Sequence, residues 1–148
     1  MHILNNKTKS LQRGFTLIEI LIVIGILAIL ATVVLIALNP ARQFAQARDS
    51  QRTANVNAIL NAIGQRIADN KGVFEGTLNS VTCPTLPTAA TAIGTTLDDC
   101  LVPTYLSAIP TDPKPGSGGG YRVAAPTGGR ITVDAPSAEI TTPIEVTR

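Results

Sequence analysis

The longest apolar run in the chain gives the first structural prediction. From Phe15 to Leu38, every side chain but one is unionisable, and the exception is Glu19. At 1.5 Å per residue, a helix over these positions is about 36 Å long, enough to cross a hydrocarbon core of ~30 Å. The run therefore predicts an apolar helix over 15–38 that can span a membrane.

A second hydrophobic pattern follows this run. Apolar residues recur every three or four positions, namely Val56, Ile59, Leu60, Ile63 and Ile67. This spacing is typical of an amphipathic helix. Pro40 either begins a new helix capped by Asn39 or bends a continuous one, and Gly72 is a typical C-terminal stop. The pattern predicts that helix continues over 39–72 and packs its apolar stripe on a core.

Beyond Gly72 the chain turns to short segments. Residues 73–120 are rich in Thr, Ala, Pro and Gly and lack a sustained period, so they predict a loop region with a helical turn within 97–109. Alternation over 121–124, over 130–134 and at Ile144 and Val146 predicts three strands within 121–148. The expected fold class is therefore α+β: a long N-terminal helix, apolar in its first half and amphipathic in its second, packed on a small C-terminal antiparallel sheet.

A short polar leader, residues 1–14, precedes the apolar run and carries Lys7, Lys9 and Arg13 but no acid. A secretory signal peptide has a shorter apolar region followed by a cleavage site of small residues, and neither is present here. A plain membrane anchor accounts for the length of the run. It does not account for Glu19, because an acid within a membrane-spanning helix requires a partner.

The stretch from Gly14 to Val23, Gly-Phe-Thr-Leu-Ile-Glu-Ile-Leu-Ile-Val, resembles the processing site and helix start of type IV pilins and pseudopilins. The resemblance implies a pilin-like fold and cleavage between Gly14 and Phe15 by a prepilin peptidase, which then methylates the new amine of Phe15. It also implies that Glu19 is the assembly carboxylate, paired with a Phe15 amine on the same or an adjacent subunit. A weaker likeness to major pseudopilins covers the connector 106–113.

Charge does not favour a nucleic acid as partner. Three of the twelve basic residues lie in the leader, so nine basic side chains face ten acidic ones in the rest of the chain. A near-neutral chain lacks the electrostatic footprint of a nucleic-acid-binding protein. Four arginines lie in the helical region and are expected on a solvated or subunit-contacting face: Arg42, Arg48, Arg52 and Arg66.

The two cysteines bear on the compartment. Cys83 and Cys100 lie in a Thr/Pro-rich segment and favour a disulfide on the extracytoplasmic side, with two free thiols or a metal site as alternatives. No cofactor and no metal site are predicted. Calcium stays open because four aspartates offer oxygen ligands, namely Asp98, Asp99, Asp112 and Asp134.

Together, these patterns and the resemblance to type IV pilins and pseudopilins favour a structural subunit that is not an enzyme. We expect a precursor in the inner (cytoplasmic) membrane with its C-terminal domain outside the cytoplasm, which polymerises through its apolar helix into an extracellular type IV pilus for motility, adhesion or DNA uptake. Its expected partners are copies of itself, a prepilin peptidase/methylase and the assembly platform of a pilus or type II secretion system. Two alternatives stay open: the major pseudopilin of a type II secretion pseudopilus, and a membrane-tethered binding module that does not polymerise.

Overall fold

A computed structural model describes residues 14–114, 116, 120–126 and 128–148. Residues 1–13 of the predicted leader and residues 115, 117–119 and 127 lie outside the described residues. The chain divides into two compact units, Met1–Pro40 and Ala41–Arg148.

The described residues form three helices and six strands. In chain order these are α1 (Leu17–Leu38), α2 (Pro40–Asp69), β1 (Gly76–Leu78), β2 (Val81–Cys83), β3 (Thr91–Ala92), α3 (Thr95–Leu101), β4 (Arg122–Ala124), β5 (Thr132–Ala135) and β6 (Ile144–Thr147).

The first unit contains α1, which confirms the apolar N-terminal helix. It ends at Leu38 because Asn39 takes a left-handed conformation, with φ 42° and ψ 76°. Asparagine tolerates this region better than most residues, and a left-handed residue closes a helix C-terminus. Pro40 is then the first residue of α2, where its missing N–H has no intrahelical role. Of the two arrangements expected here, the structure shows the restarted helix.

The core of the second unit joins the apolar stripe of α2 to the C-terminal strands. Val56, Ile59 and Ile63 are fully buried and belong to one cluster with Val123 of β4 and Val133 of β5. Burial of this stripe removes a continuous apolar surface from water, which is the dominant favourable term in folding. The predicted α+β architecture is thereby confirmed.

The larger sheet is antiparallel and has the strand order β3-β4-β5-β6. Val133 pairs with Val123 on one side and with Val146 on the other, so the centre of the sheet is aliphatic. β4 lies within the first segment that alternation predicted, β5 overlaps the second and extends one residue beyond it to Ala135, and β6 contains Ile144 and Val146. β3 adds an edge strand that the sequence did not indicate.

A separate two-stranded sheet lies in the segment predicted to be loop. β1 and β2 pair antiparallel through the two-residue turn Asn79–Ser80, whose φ angles are 51° and 69°. Two central residues at positive φ form the primed turn whose twist suits a tight hairpin. The structure therefore differs from the expectation for this segment in having the strands β1, β2 and β3, whereas α3 overlaps the helical turn expected within 97–109.

A disulfide between Cys83 and Cys100 joins β2 to α3. The two Cα atoms are 5.8 Å apart, and both residues are buried in the core cluster. The described residues contain no free cysteine. The cross-link holds the β1–β2 hairpin against the short helix α3.

Candidate functional site

The start of α1 is organised by Thr16. Its backbone is extended, with φ −81° and ψ 150°, and its Oγ1 accepts a hydrogen bond from the backbone N–H of Glu19 at 3.3 Å. An N-cap side chain of this kind satisfies one of the four N–H groups that lack partners in the first turn of a helix. Gly14 and Phe15 therefore lie in non-helical backbone immediately before the cap.

Four residues at this helix start line one surface cleft: Gly14, Phe15, Thr16 and Glu19. The side chain of Phe15 is 81% exposed. A Cβ added to Gly14 would meet no atom within 4 Å, so packing within the chain does not require glycine at this position. The three positions expected to take part in processing and assembly thus lie together at one accessible end of α1.

The surface of α1 has no cover within the described chain. None of its residues is buried, although nearly all are aliphatic. The hydroxyl group of Thr32 donates a hydrogen bond to the backbone carbonyl of Ala28 at 2.8 Å, so this polar side chain has its partner within α1. Among the described residues, α1 is the one helix long and apolar enough to cross a membrane. A surface of this kind is matched by lipid or by other apolar helices.

Comparison with known families gives a match at the N-terminal end of the chain. The prokaryotic N-terminal methylation motif matches residues 9–35. The chain carries this motif. It is the processing signal found at the start of type IV pilins and pseudopilins, and it includes Gly14, Phe15 and Glu19. No curated protein and no solved structure matches the chain.

The resemblance stated from the sequence is therefore confirmed for the N-terminal part of the chain. The family match ends within α1, three residues before Leu38. The roles of Gly14 and Phe15 in processing, and of Phe15 and Glu19 in assembly, stay predictions. The match does not extend to the second unit.

A buried charge cluster is the main feature of the second unit that the sequence did not reveal. Arg52 on α2 is fully buried, and its guanidinium binds the Asp112 carboxylate through two nitrogens at 2.8 Å each. The same group donates to Asp49 at 2.7 Å and to Glu139 at 3.0 Å. Arg48 binds Glu139 through two further hydrogen bonds of 2.7 and 2.8 Å. The cluster ties α2 to the connector and to the segment before β6.

Asp49 also holds the backbone of that C-terminal segment. Its carboxylate accepts hydrogen bonds from three consecutive N–H groups, those of Glu139, Ile140 and Thr141, at 2.7 to 3.2 Å. Burial alone would raise the pKa of the Asp49 carboxyl, but these N–H groups and Arg52 outweigh burial and lower it. The carboxylate is therefore held in its charged form.

The pKa values of Arg52 and Glu139 also shift in the directions that favour their charged forms. Hydrogen bonding to Asp112, and then to Asp49 and Glu139, raises the pKa of Arg52. Hydrogen bonding from Arg48, followed by Arg52 and Lys114, lowers the pKa of Glu139. All of these shifts favour the ionised forms, as expected where charges are paired and hydrogen-bonded.

The prediction of a solvated or subunit-contacting face for the helical arginines is wrong for Arg52 and Arg66. Arg66 is 2% exposed, and its guanidinium donates to the carbonyls of Phe74 and Gly76 at 3.0 Å each. It also lies 5.4 Å from the centre of the Phe74 ring, in cation–π contact. Both arginines act inside the fold because each has polar partners that offset its burial.

Two of the four aspartates considered for calcium are paired with arginines. Asp112 binds Arg52, and Asp134 binds Arg122. Within the described ranges, no group of three or more acidic, histidine or cysteine side chains could hold a metal ion.

Proposed function

We propose that the chain is a structural subunit of a type IV pilus, made as a membrane-held precursor and polymerised through α1. The observation that carries this proposal is the position of the methylation motif at the start of a helix whose apolar surface is uncovered. A peptidase that cuts between Gly14 and Phe15 removes the basic leader and leaves this helix attached. The mature chain then exchanges lipid for neighbouring helices with little change in apolar burial.

Glu19 supplies the directional contact in this assembly. Once α1 leaves lipid for a helical bundle, the carboxylate becomes buried and requires an opposite charge and hydrogen bonds. The methylated amine created at Phe15 is the cation that processing supplies near it. Pairing of Glu19 with this amine fixes the axial register of neighbouring subunits, and no catalytic chemistry is assigned to the chain.

An exposed pilus is favoured over the short pseudopilus of type II secretion. The disulfide between Cys83 and Cys100 strengthens a domain that faces an oxidising exterior. Asp112 and Asp134, which could have served a calcium-binding loop, bind arginines instead. In this proposal, the precursor lies in the inner membrane with its second unit outside the cytoplasm, and the finished filament is extracellular.

Shearing of producing cells tests the proposal. We expect filaments in the sheared material by electron microscopy, and a first peptide by mass spectrometry that begins with N-methylated Phe15. Material that stays monomeric in the membrane would favour a tethered binding module. A first peptide that still carries residues 1–14 would refute the processing step. Deletion of the gene, scored for motility, transformation and exoprotein secretion, separates a pilus from a pseudopilus.

A further inference from the structure

Gly64 occupies an unusual position in the interior of α2. Glycine is the weakest helix former after proline, so it weakens a helix unless something requires it. A Cβ added at this position would meet no atom within 4 Å, which means that packing within the chain does not require it. The missing side chain instead leaves space on the outer surface of the helix.

That space is part of an apolar groove of about 510 Å³. Leu60, Gly64 and Ile67 of α2 line one wall, and Ile131, just before β5, lines the other. The polar side chains of Asn61 and Gln65 stand at its rim. Arg148, whose guanidinium donates to Asn61, also lines the groove. The groove therefore combines apolar side chains with one cationic side chain, which suits an aromatic side chain through apolar and cation–π contact.

The same helix carries an aromatic side chain with no cover. Phe44 is 65% exposed, more than any other large hydrophobic residue described in the second unit. It precedes Gly64 by twenty positions on the continuous helix α2, which corresponds to about 30 Å at 1.5 Å per residue. Phe44 therefore cannot reach the groove of its own chain.

We propose that Phe44 of one copy inserts into the Gly64 groove of a second copy. Such a contact is heterologous, because one copy contributes the side chain and the other contributes the groove. The groove of the first copy and the Phe44 of the second then stay available, so the contact propagates into an open polymer and does not close into a dimer. The inference rests on the proposed function and names a surface through which neighbouring soluble units bind.

The area of this contact defines its role. A phenylalanine side chain buries roughly 150–250 Å², and at 65% exposure about 130 Å² of Phe44 is left to cover. A stable interface buries about 800 Å² on each partner. Phe44 alone therefore cannot hold two copies together. The exposed surface of α1 supplies the remaining area. The Phe44 contact requires an offset of about 30 Å along α2, so it joins copies that lie further apart along the filament than those whose register Glu19 fixes.

Sheared filament yield from the full-length chain in producing cells tests the contact by mutation. We expect Phe44→Ala and Gly64→Leu each to lower the yield by about tenfold, since removal of a central aromatic anchor often weakens an interface by that factor or more. Gly64→Leu places a side chain in the groove, and the Cβ of that side chain would meet no atom within 4 Å in the folded chain. Gln51→Leu adds the same side chain at another exposed position of α2 and is expected to leave the yield unchanged.

Cysteine cross-linking tests which surfaces meet. Cysteines are placed beside the two contact positions, so that Phe44 and Gly64 stay in place. Differently tagged Ala47→Cys and Gln65→Cys chains, both changed at exposed positions of α2, are co-expressed and oxidised, and we expect a dimer that carries both tags. The double variant is expected to give a ladder of multimers, whereas Gln51→Cys combined with Gln65→Cys is not.

Any other result of the yield and cross-linking tests would contradict the proposed contact. Wild-type yields from Phe44→Ala and Gly64→Leu, or absence of the mixed dimer from wild-type-like filaments, would exclude it while leaving the proposed function intact. A loss of Phe44→Ala precursor from the membrane, without the mixed dimer, would show that Phe44 contacts lipid. Failure of the wild-type chain to form any sheared polymer would remove the proposed function together with this inference.

Discussion

Asp49→Asn is the most informative single substitution in the second unit. Asp49 is 5% exposed, and its Oδ1 accepts from Arg52 while its Oδ2 accepts from the N–H groups of Ile140 and Thr141. Asparagine has the same shape but replaces one of these oxygens with an NH₂ group. If the NH₂ group takes the Oδ1 position, the Arg52 guanidinium faces another donor. If it takes the Oδ2 position, the N–H groups of Ile140 and Thr141 both face another donor.

The expected cost follows from these orphaned donors. Each buried donor without an acceptor costs about 1–3 kcal/mol, so one or two of them lower the free energy of unfolding by about 1–6 kcal/mol. A domain of this kind has only about 5–15 kcal/mol in total. The loss is therefore expected to remove a large share of the stability of the second unit.

Urea unfolding of the full-length chain in detergent micelles measures this effect. Tyr121 is 2% exposed, so its near-UV circular dichroism reports the packing of the second unit. Asp69→Asn on the same helix is the matched control, because Asp69 is exposed and accepts one hydrogen bond, from the Tyr105 hydroxyl. We expect the control to shift stability by about 0.5 kcal/mol or less. Equal midpoints for Asp49→Asn and the control would refute the reasoning.

The pH dependence of the same pair provides a second check. The pKa of Asp49 is lowered in the folded chain, so its stabilising effect is complete above the unfolded value of about 3.9 and is lost as pH falls through the folded value. Asparagine does not titrate. The stability gap between wild type and Asp49→Asn should therefore narrow below about pH 4, and a constant gap would contradict this interpretation.

Three further predictions concern the motif, the disulfide and the end of α2. Glu19→Ala should leave leader cleavage unchanged but lower the yield of sheared filaments, because a buried pair that loses one partner costs about 3–5 kcal/mol; normal yield and length would contradict the assembly role. Replacement of Cys83 and Cys100 by serine should lower the free energy of unfolding by about 3 kcal/mol in the same urea assay, given a loop of 17 positions. Gly72→Ala should lower the free energy of unfolding by about 1–2 kcal/mol because φ is 92° at this position. Gly64→Ala, where an added Cβ meets open space, should raise it by about 0.5–1 kcal/mol. Equal effects of the two substitutions would contradict the backbone argument.

The elements that the sequence predicted correctly are those whose signal is local and long. The apolar run from Phe15 to Leu38 and the stripe from Val56 to Ile67 each extend over several helical turns, so their periods stand out without tertiary information. The three C-terminal strands also alternate clearly enough to be placed. Helix and sheet then meet in one core because each has one apolar face.

The hairpin β1–β2 could not be predicted in the same way. Each strand has three residues, which is too short for a period of two to be distinguished from chance. The turn is Asn79–Ser80, and serine lacks the freedom at positive φ that makes Asn-Gly a recognisable hairpin signal. The structure of this segment therefore depends on tertiary contacts, including the Cys83–Cys100 bond to α3.

The positions of Arg52 and Arg66 in the sequence do carry a signal of burial. Arg52 lies four positions before Val56, and Arg66 lies three positions after Ile63, so both continue the spacing of the buried stripe. A charge in register with an apolar stripe indicates a buried and paired side chain. Its partners are not readable from sequence, because Asp112 and Glu139 lie 60 and 87 positions from Arg52 and lack any local pattern.

The helices α1 and α2 differ in whether the chain itself covers their apolar surfaces. α2 buries eight of its side chains, and its buried arginines find partners within the second unit. α1 is far more apolar and buries none. Removal of the leader by a peptidase would not change this difference, because the cut precedes the helix. The uncovered apolar surface of α1 would therefore remain after cleavage. Lipid can cover its aliphatic side chains, but lipid offers Glu19 no positive group at a fixed level of the helix. Glu19 therefore favours one axial position of a neighbouring subunit that supplies such a group.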